Sequence, residues 1–206
     1  MILERIIVGR LEANCYIVGD ETTKEVAVID PGAEGSKIYK HIEEKGYKVI
    51  YIIATHGHVD HISGIKYIKD KSGAKVVIHK NDRDALTDSR MNLSIYLGFE
   101  SVQCPADICI EGGEVLYVGR LKLEFIHTPG HTTGGMCILV DGKLLFSGDT
   151  LFEQSIGRTD LPGGNYQQLI KSIKEKLFVM PDDLEVYPGH GEKTTIGREK
   201  SSNPYV

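Results

Sequence analysis

Four strand-like runs in this chain each end in a glycine-containing turn that carries histidine or aspartate, and nothing else in the sequence constrains the fold as strongly. Lys48–Ala54 leads into Thr55-His56-Gly57-His58-Val59-Asp60-His61. Lys122–His127 leads into Thr128-Pro129-Gly130-His131. Lys143–Ser147 leads into Gly148-Asp149-Thr150, and Leu184–Tyr187 into Pro188-Gly189-His190-Gly191. Side chains just past the carboxyl ends of strands project into a shared crevice. Four such ends can therefore build one edge rich in metal-ligating groups.

The cluster at 56–61 is the sharpest of the four. A lone histidine usually reads as a surface or satisfied core residue. Three within six residues, with an aspartate between them and a buried strand before them, read as metal ligands, because imidazole is the commonest transition-metal ligand. His56 and His58 are two apart, so they share one side of an extended segment. Gly57 permits tight turning between them. Asp60 and His61 follow where a helix would begin and can face a second metal, although Asp60 also reads as a helix N-cap. His131, Asp149 and His190 taken singly read as turn residues; together they read as the rest of a ligand set.

The remaining pattern predicts alternating strands and helices. Leu3–Val8, Cys15–Val18, Glu25–Asp30, Lys48–Ala54 and Lys75–His79 read as strands, the fourth buried on both faces. Ser36 to Lys45 reads as a helix with Ser36 as N-cap and Gly46 at its end, and Ile62 to Ser72 as another. Asn81–Asp107 is polar and weakly periodic, a long excursion expected to hold one or two short helices and to cover a site. Strands resume at Glu114–Val118, Lys122–His127, Gly135–Val140 and Lys143–Ser147, with a hairpin turn at Asp141-Gly142. In Asn165–Phe178 the spacing of Leu169, Ile173 and Leu177 predicts an amphipathic helix. Two batches of strands with helices, and no linker between them, predict one domain over 1–206 with helices outside and strands within.

Composition narrows the partners. The 206 residues carry 24 basic and 29 acidic side chains, a formal net charge of -5, with no basic run. Such a chain offers no electrostatic case for nucleic acid or an anionic membrane. No signal peptide and no long apolar span is visible, so a cytoplasmic location is expected. Cys15, Cys104, Cys109 and Cys137 show no Cys-x-x-Cys spacing and read as reduced, buried structural thiols, with Cys104 and Cys109 near enough in sequence to meet.

The motifs Thr-His-Gly-His-Val-Asp-His at 55–61, Pro-Gly-His-Thr at 129–132, Gly-Asp-Thr at 148–150 and Pro-Gly-His-Gly at 188–191 together resemble the metallo-β-lactamase fold superfamily. The resemblance implies an α/β (α+β) protein built as a four-layer αββα sandwich, with a two-metal site at one edge. It implies that His56, His58 and His131 hold one metal, that Asp60, His61 and His190 hold another, and that Asp149 bridges them. The run Gly148-Asp-Thr-Leu-Phe-Glu-Gln-Ser-Ile-Gly-Arg-Thr-Asp-Leu-Pro-Gly-Gly164 is similar to the glyoxalase II-like (hydroxyacylglutathione hydrolase-like) branch. There a basic residue after the bridging aspartate meets an anionic substrate; Arg158 holds that place, and pairing with Asp160 is its alternative reading. The chain departs from full-length enzymes of that branch in lacking a C-terminal helical glutathione-binding domain, since 16 residues follow His190. It resembles the shorter bacterial hydrolases instead.

The implied reaction is hydrolysis of a thioester or related activated acyl bond on a small molecule, such as an ester of glutathione or another thiol. The nucleophile would be a metal-bound hydroxide. Two divalent ions are expected, zinc first, with iron or manganese also suited to a His-rich site bridged by carboxylate. Asp60 and Asp149 are the candidate catalytic carboxylates, and His79, Thr55, Ser147 and Thr132 the candidate supports for the ligands. Phe152, Tyr96 and Met91 read as lid, pocket or core residues. Three rivals remain: a mononuclear iron persulfide dioxygenase, a small-molecule phosphodiesterase, and a metal-binding module without catalysis. A true β-lactamase is disfavoured by the thioesterase-like run.

Overall fold

The computed structural model describes residues 1–206. Period-two alternation sorts its strands into layers. In β2 (Ala13–Gly19), Cys15 and Ile17 enter one hydrophobic cluster while Tyr16 and Val18 enter another. In β3 (Glu25–Ile29), Val26 and Val28 divide from Ala27 and Ile29 in the same way. With β1 (Ile2–Val8), β4 (Lys48–Ile53), β5 (Lys75–His79) and β6 (Ile108–Ile110) they form one sheet in sequence order. β1, β2 and β3 pair antiparallel, and β3 through β6 pair parallel. The β3–β4 register shifts between Val26 and Ala27, a bulge that lets Val49 and Ile52 share one face of β4.

The second sheet runs β14-β13-β10-β9-β8-β7. Its members are β7 (Val115–Val118), β8 (Leu121–His127), β9 (Met136–Val140), β10 (Leu144–Gly148), β13 (Glu185–Pro188) and β14 (Thr194–Thr195). β11 (Leu151–Phe152) and β12 (Ser155–Ile156) make a small separate hairpin. Asp141 and Gly142 both take positive φ in the β9–β10 turn, as a tight hairpin requires.

Three apolar clusters define four layers. The inter-sheet core gathers Tyr16, Ile29, Ile53, Phe125, Ile138 and Phe146. Outside the first sheet, Ile38 and Ile42 of α1 (Gly35–Lys45) and Ile65 and Ile68 of α3 (Ile65–Ser72) pack on the other face. Outside the second, Leu169 of α5 (Tyr166–Ser172), Ile173 and Leu177 of the following π-helical turn, and Ile196 of α6 (Ile196–Ser202) cover Leu145 and Val186. The αββα sandwich expected from the motifs is the architecture observed.

Several local expectations are corrected. α1 starts at Gly35, with Glu34 at its N-cap in left-handed backbone (φ 52), so Ser36 lies inside the first turn and does not cap it. The stretch from Ile62 to Ser72 is not one helix. A single turn, α2 (Val59–Ile62), ends at Ser63, and α3 begins after Gly64, whose N–H donates to the Pro31 carbonyl at 2.7 Å. β4 is half-buried at Ile50 and Tyr51, so it is not buried on both faces throughout. Asn165–Phe178 is helical with Leu169, Ile173 and Leu177 all buried, but it widens to π geometry at Ile173. Cys109 is exposed, and all four cysteines are free. Two-residue strands and β6 went unread because they are too short for a periodic signal.

No helix is long and apolar enough to cross a membrane. At the edge far from the ligand loops, Asp20 ties the sheets together. It accepts from the Arg120 backbone N–H at 3.0 Å and from the guanidinium at 2.9 and 3.1 Å. The guanidinium bonds first, and then the Thr22 and Arg120 backbone N–H groups, hold this carboxyl below the usual carboxylate range. A depressed carboxyl stabilises the fold above its unfolded value, and that contribution is lost as pH falls below about 4. Asp20→Asn should therefore flatten the acid limb of a stability-versus-pH curve from urea melts, while leaving the shape above pH 6 unchanged.

Candidate metal centre

Strand direction explains why the ligand loops meet. β8 and β10 both pair antiparallel to β9, so they run the same way, and β13 runs parallel to β10. Their carboxyl ends therefore share one edge of the second sheet, carrying His131, Asp149 and His190. β4 ends at the facing edge of the first sheet and carries His56 to His61. Main-chain bonds stitch the edges together: Met136 N–H to Thr55 O at 2.9 Å, and Asn14 N–H to Gly189 O at 2.7 Å.

All seven expected ligand residues converge. One donor atom each from His56, His58 and His131 lie within 4.8 Å of one another; the same holds for Asp60, His61 and His190, and for His56, His61 and Asp149. His58 Nδ1 and His131 Nε2 face each other at 2.9 Å, and His61 Nε2 and His190 Nε2 at 3.2 Å. Asp149 stands between the two trios, with Oδ1 3.4 Å from His61 Nε2 and Oδ2 3.5 Å from His131 Nε2. Asp60 Oδ2 is 3.3 Å from His190 Nε2. Asp60 sits inside α2, with His58 at the N-cap position, so the capping alternative does not apply.

Neighbouring groups fix the ring orientations. Thr55 Oγ1 donates to Asp30 Oδ2 at 2.7 Å, so it accepts from His56 Nδ1–H at 3.1 Å. His61 Nδ1–H donates to Asp30 Oδ2 at 3.0 Å, and His131 Nδ1–H to the Arg158 carbonyl at 2.7 Å. Each ring then aims Nε2 into the cluster, where a metal would take the lone pair in place of a proton. His56 Nε2 and Asp149 Oδ1 are buried without any hydrogen-bond partner. Two buried, unpartnered electron-pair donors aimed into one space are costly unless a cation satisfies them. The donor set therefore fits divalent metal ions.

Electrostatics says the same. Burial, then the surrounding imidazoles, push His56 well below the ordinary histidine value, and burial with His131 takes His58 down to about 3. Burial opposes ionisation of Asp60, but His61, His190 and His58 together hold it below the usual carboxylate range. Burial opposes the charge on His61 too, yet Asp149, Asp60 and Asp30 raise it to about 10. His190 is raised by Asp60 and Asp149 against its burial. The second trio is thus already organised around positive charge.

The supporting groups differ in part from those expected. Thr55 does brace His56, and Thr132 donates to Asp82 at 2.7 Å. Ser147 instead donates to the Leu151 carbonyl, and His79 stacks on His127 at 3.9 Å, so neither touches a ligand. Sequence reading missed Asp30, Asp82 and Asn14. Asp30 was findable, since Ile29-Asp30-Pro31-Gly32 repeats the strand-end pattern. Asp82 lies in the polar excursion with no signal; it accepts from Gly57 N–H at 3.0 Å, Thr132 Oγ1 and Gly134 N–H at 2.7 Å, joining two ligand loops. Asn14 donates to the carbonyls of Pro188 and Gly191 around His190.

A cleft of about 440 Å³ opens at the cluster, lined by Leu11, Leu93, Leu97, Phe152, Ile156, Arg158 and Leu161 together with five of the candidate ligands. The 81–107 excursion holds a 3₁₀ turn (Lys80–Leu86) and α4 (Ser94–Leu97), and it does cover the site. Tyr96 points to solvent, so it is neither core nor lining. The Arg158 side chain is exposed and doubly bonded to Asp160 at 2.8 Å.

The metallo-beta-lactamase superfamily model matches residues 8–190, and this chain belongs to that family. It is 40% identical to a probable metallo-hydrolase, YqgX, of Bacillus subtilis, over 98% of this chain and 96% of that one. It is 36% identical to the hydroxyacylglutathione hydrolase GloC of Haemophilus influenzae, over 100% and 98%. Among solved structures, BLEG-1 B3 metallo-beta-lactamase superposes with a TM-score of 0.94 at 34% identity, covering 99% of both chains. ETHE1 from Myxococcus xanthus gives 0.84 at 30%, covering 99% of this chain and 84% of that one. TTHA1623, in a di-iron-bound form, gives 0.88 at 30%, covering 98% and 100%.

Two substitutions probe the centre. Asp30→Ala frees two ring or hydroxyl partners at once and should weaken zinc binding about 10- to 100-fold in competition with a chromogenic chelator. A Cβ at Gly189 would stand 2.3 Å from Asp149 Oδ1 and 2.8 Å from His61 Cε1, so Gly189→Ala should lower metal content per chain after dialysis.

Proposed function

We propose that this chain is a metal-dependent hydrolase of thioesters or closely related activated acyl bonds, working with two divalent ions, zinc first. The observation that carries this reading is the pair of donor trios sharing Asp149 at the floor of a cleft. Similarity to GloC supports thioester chemistry. In this reading His56, His58 and His131 hold one ion, Asp60, His61 and His190 the other, and Asp149 both. Bound there, the ions would acidify a water and stabilise negative charge on the carbonyl oxygen.

The chain's own groups supply the rest. Asp60 remains ionised among three imidazoles, so its carboxylate can accept a hydrogen bond from the attacking water and orient it. Water oxygen adds to the carbonyl carbon, the C–S bond breaks, and the proton passes on to the departing thiolate. Asp30 and Asp82 keep the rings and loops from following the substrate. Arg158 on the rim can contact one substrate anion if Asp160 releases it. The reading treats 1–206 as one domain, the ligands coming from both sheets, and places it in the cytoplasm, where four unpaired thiols are at home.

A second reading, a one-iron enzyme that oxidises a thiol persulfide, is favoured by the run 148–164 and by similarity to ETHE1. One assay set separates them. Metal content near two per chain, with cleavage of S-lactoylglutathione or a simpler thioester and loss of cleavage on chelation, is the expected result. One iron per chain, oxygen uptake and sulfite formation from a persulfide, without thioester cleavage, would overturn it. Nitrocefin, included because of the BLEG-1 similarity, should turn over far more slowly than a thioester.

A further inference from the structure

We infer that the reacting bond of the substrate carries an apolar arm in place of a carrier with several charged groups, so that a thiol ester of glutathione is a poor fit. The inference rests on the thioesterase reading above and specifies its substrate class. Half of the residues lining the cleft are apolar: Leu11, Leu93, Leu97, Phe152, Ile156 and Leu161. They line the same cleft as Asp60, Asp149 and His190, so an arm attached to the reacting carbon or sulfur lies against them. Leu11 and Leu97 at the mouth are each 44% exposed, an apolar rim with water on it until something covers it. Displacing that water by hydrocarbon is favourable in proportion to the area covered.

Charge argues in the same direction. Glutathione brings two carboxylates and an ammonium group, a polar carrier that needs several charged or hydrogen-bonding partners. Arg158 is the one lysine or arginine lining the cleft, and both of its bonded nitrogens are committed to Asp160. Beyond His58 lies a second hollow of about 260 Å³, lined by Met91, Thr132, Thr133 and Asp82 among others, which adds a carboxylate and no cation. Arg10, near the mouth, donates to the Leu97 carbonyl and lies over the Phe99 ring, so it braces α4 and does not face the cleft. Neither hollow offers the several charged partners that such a carrier needs.

The arm can belong to the acyl side or to the thiol side, and two substrate series tell them apart. Acetyl, butyryl and hexanoyl thioesters of N-acetylcysteamine vary the acyl arm. Acetyl thioesters of ethanethiol, butanethiol and hexanethiol vary the other. In the metal-loaded protein, kcat/KM should rise about fourfold per methylene in one series, and S-lactoylglutathione should fall below the six-carbon member of that series. Flat or falling values in both series, or S-lactoylglutathione as the best substrate, would overturn the inference. Leu11→Ser and Leu97→Ser alter exposed side chains, so they should leave the melting temperature in place and flatten the slope. A slope unchanged in both variants would also overturn it. Calorimetry with S-alkyl-N-acetylcysteamine thioethers, which cannot be hydrolysed, gives an independent reading: affinity rising with chain length, with no thioester cleaved, would remove the hydrolase reading and leave the apolar arm standing.

Discussion

Asp30 is the group on which the rest of this edge depends. One buried carboxylate accepts from the Thr55 backbone N–H and from its hydroxyl, and from His61 Nδ1–H. The Thr55 hydroxyl in turn faces His56 Nδ1. A single negative charge therefore sets the tautomer of two ligands, one in each trio, and does so through hydrogen bonds short enough to fix ring planes. Without it, buried imidazoles this close together would have no reason to turn their lone pairs toward one another, since each lone pair would face another instead of a proton.

The sandwich exists, in functional terms, to bring two such edges together. Parallel β3, β4 and β5 aim the first ligand loop, and co-directional β8, β10 and β13 aim the other three. Backbone packing behind the ligand loops, within each half, is close enough that side chains are excluded at Gly32 and Gly157, where a Cβ would meet the Asp60 and Asp149 carbonyl oxygens at 1.5 and 1.8 Å. Small residues here are a packing requirement imposed by ligand geometry.

Much of this was legible in the sequence for a physical reason. Strand-end turns with glycine and a ligand-type side chain are local, so the cluster His56, His58, Asp60 and His61 stood out by itself, while His131, Asp149 and His190 stood out only as a recurring pattern. Helices outside and strands within followed from the two batches of strands and helices, and the four-layer order from the family resemblance. What stayed hidden is non-local or too short to show a period. Asp82 gives no hint of its task until the fold sets it between Gly57 and Gly134. The break at Ser63–Gly64 depends on the Pro31 carbonyl, and the Glu34 cap on a backbone conformation that composition does not announce. Arg158 illustrates a subtler miss: its carbonyl, bonded to His131, is as consequential as its side chain.

The donor cluster is assembled from distant parts of the chain: His58 and His131 lie 73 residues apart, and His61 and His190 lie 129 apart. A cation held by such a set is a reversible cross-link. It closes loops whose ends the unfolded chain would rarely bring together, so it penalises unfolding much as a covalent tie would. It also imposes an order on biosynthesis. Until the segment bearing His190 has left the ribosome and joined the second sheet, the earlier histidines would form only a partial chelate, so completion of the centre would report that the two sheets have met.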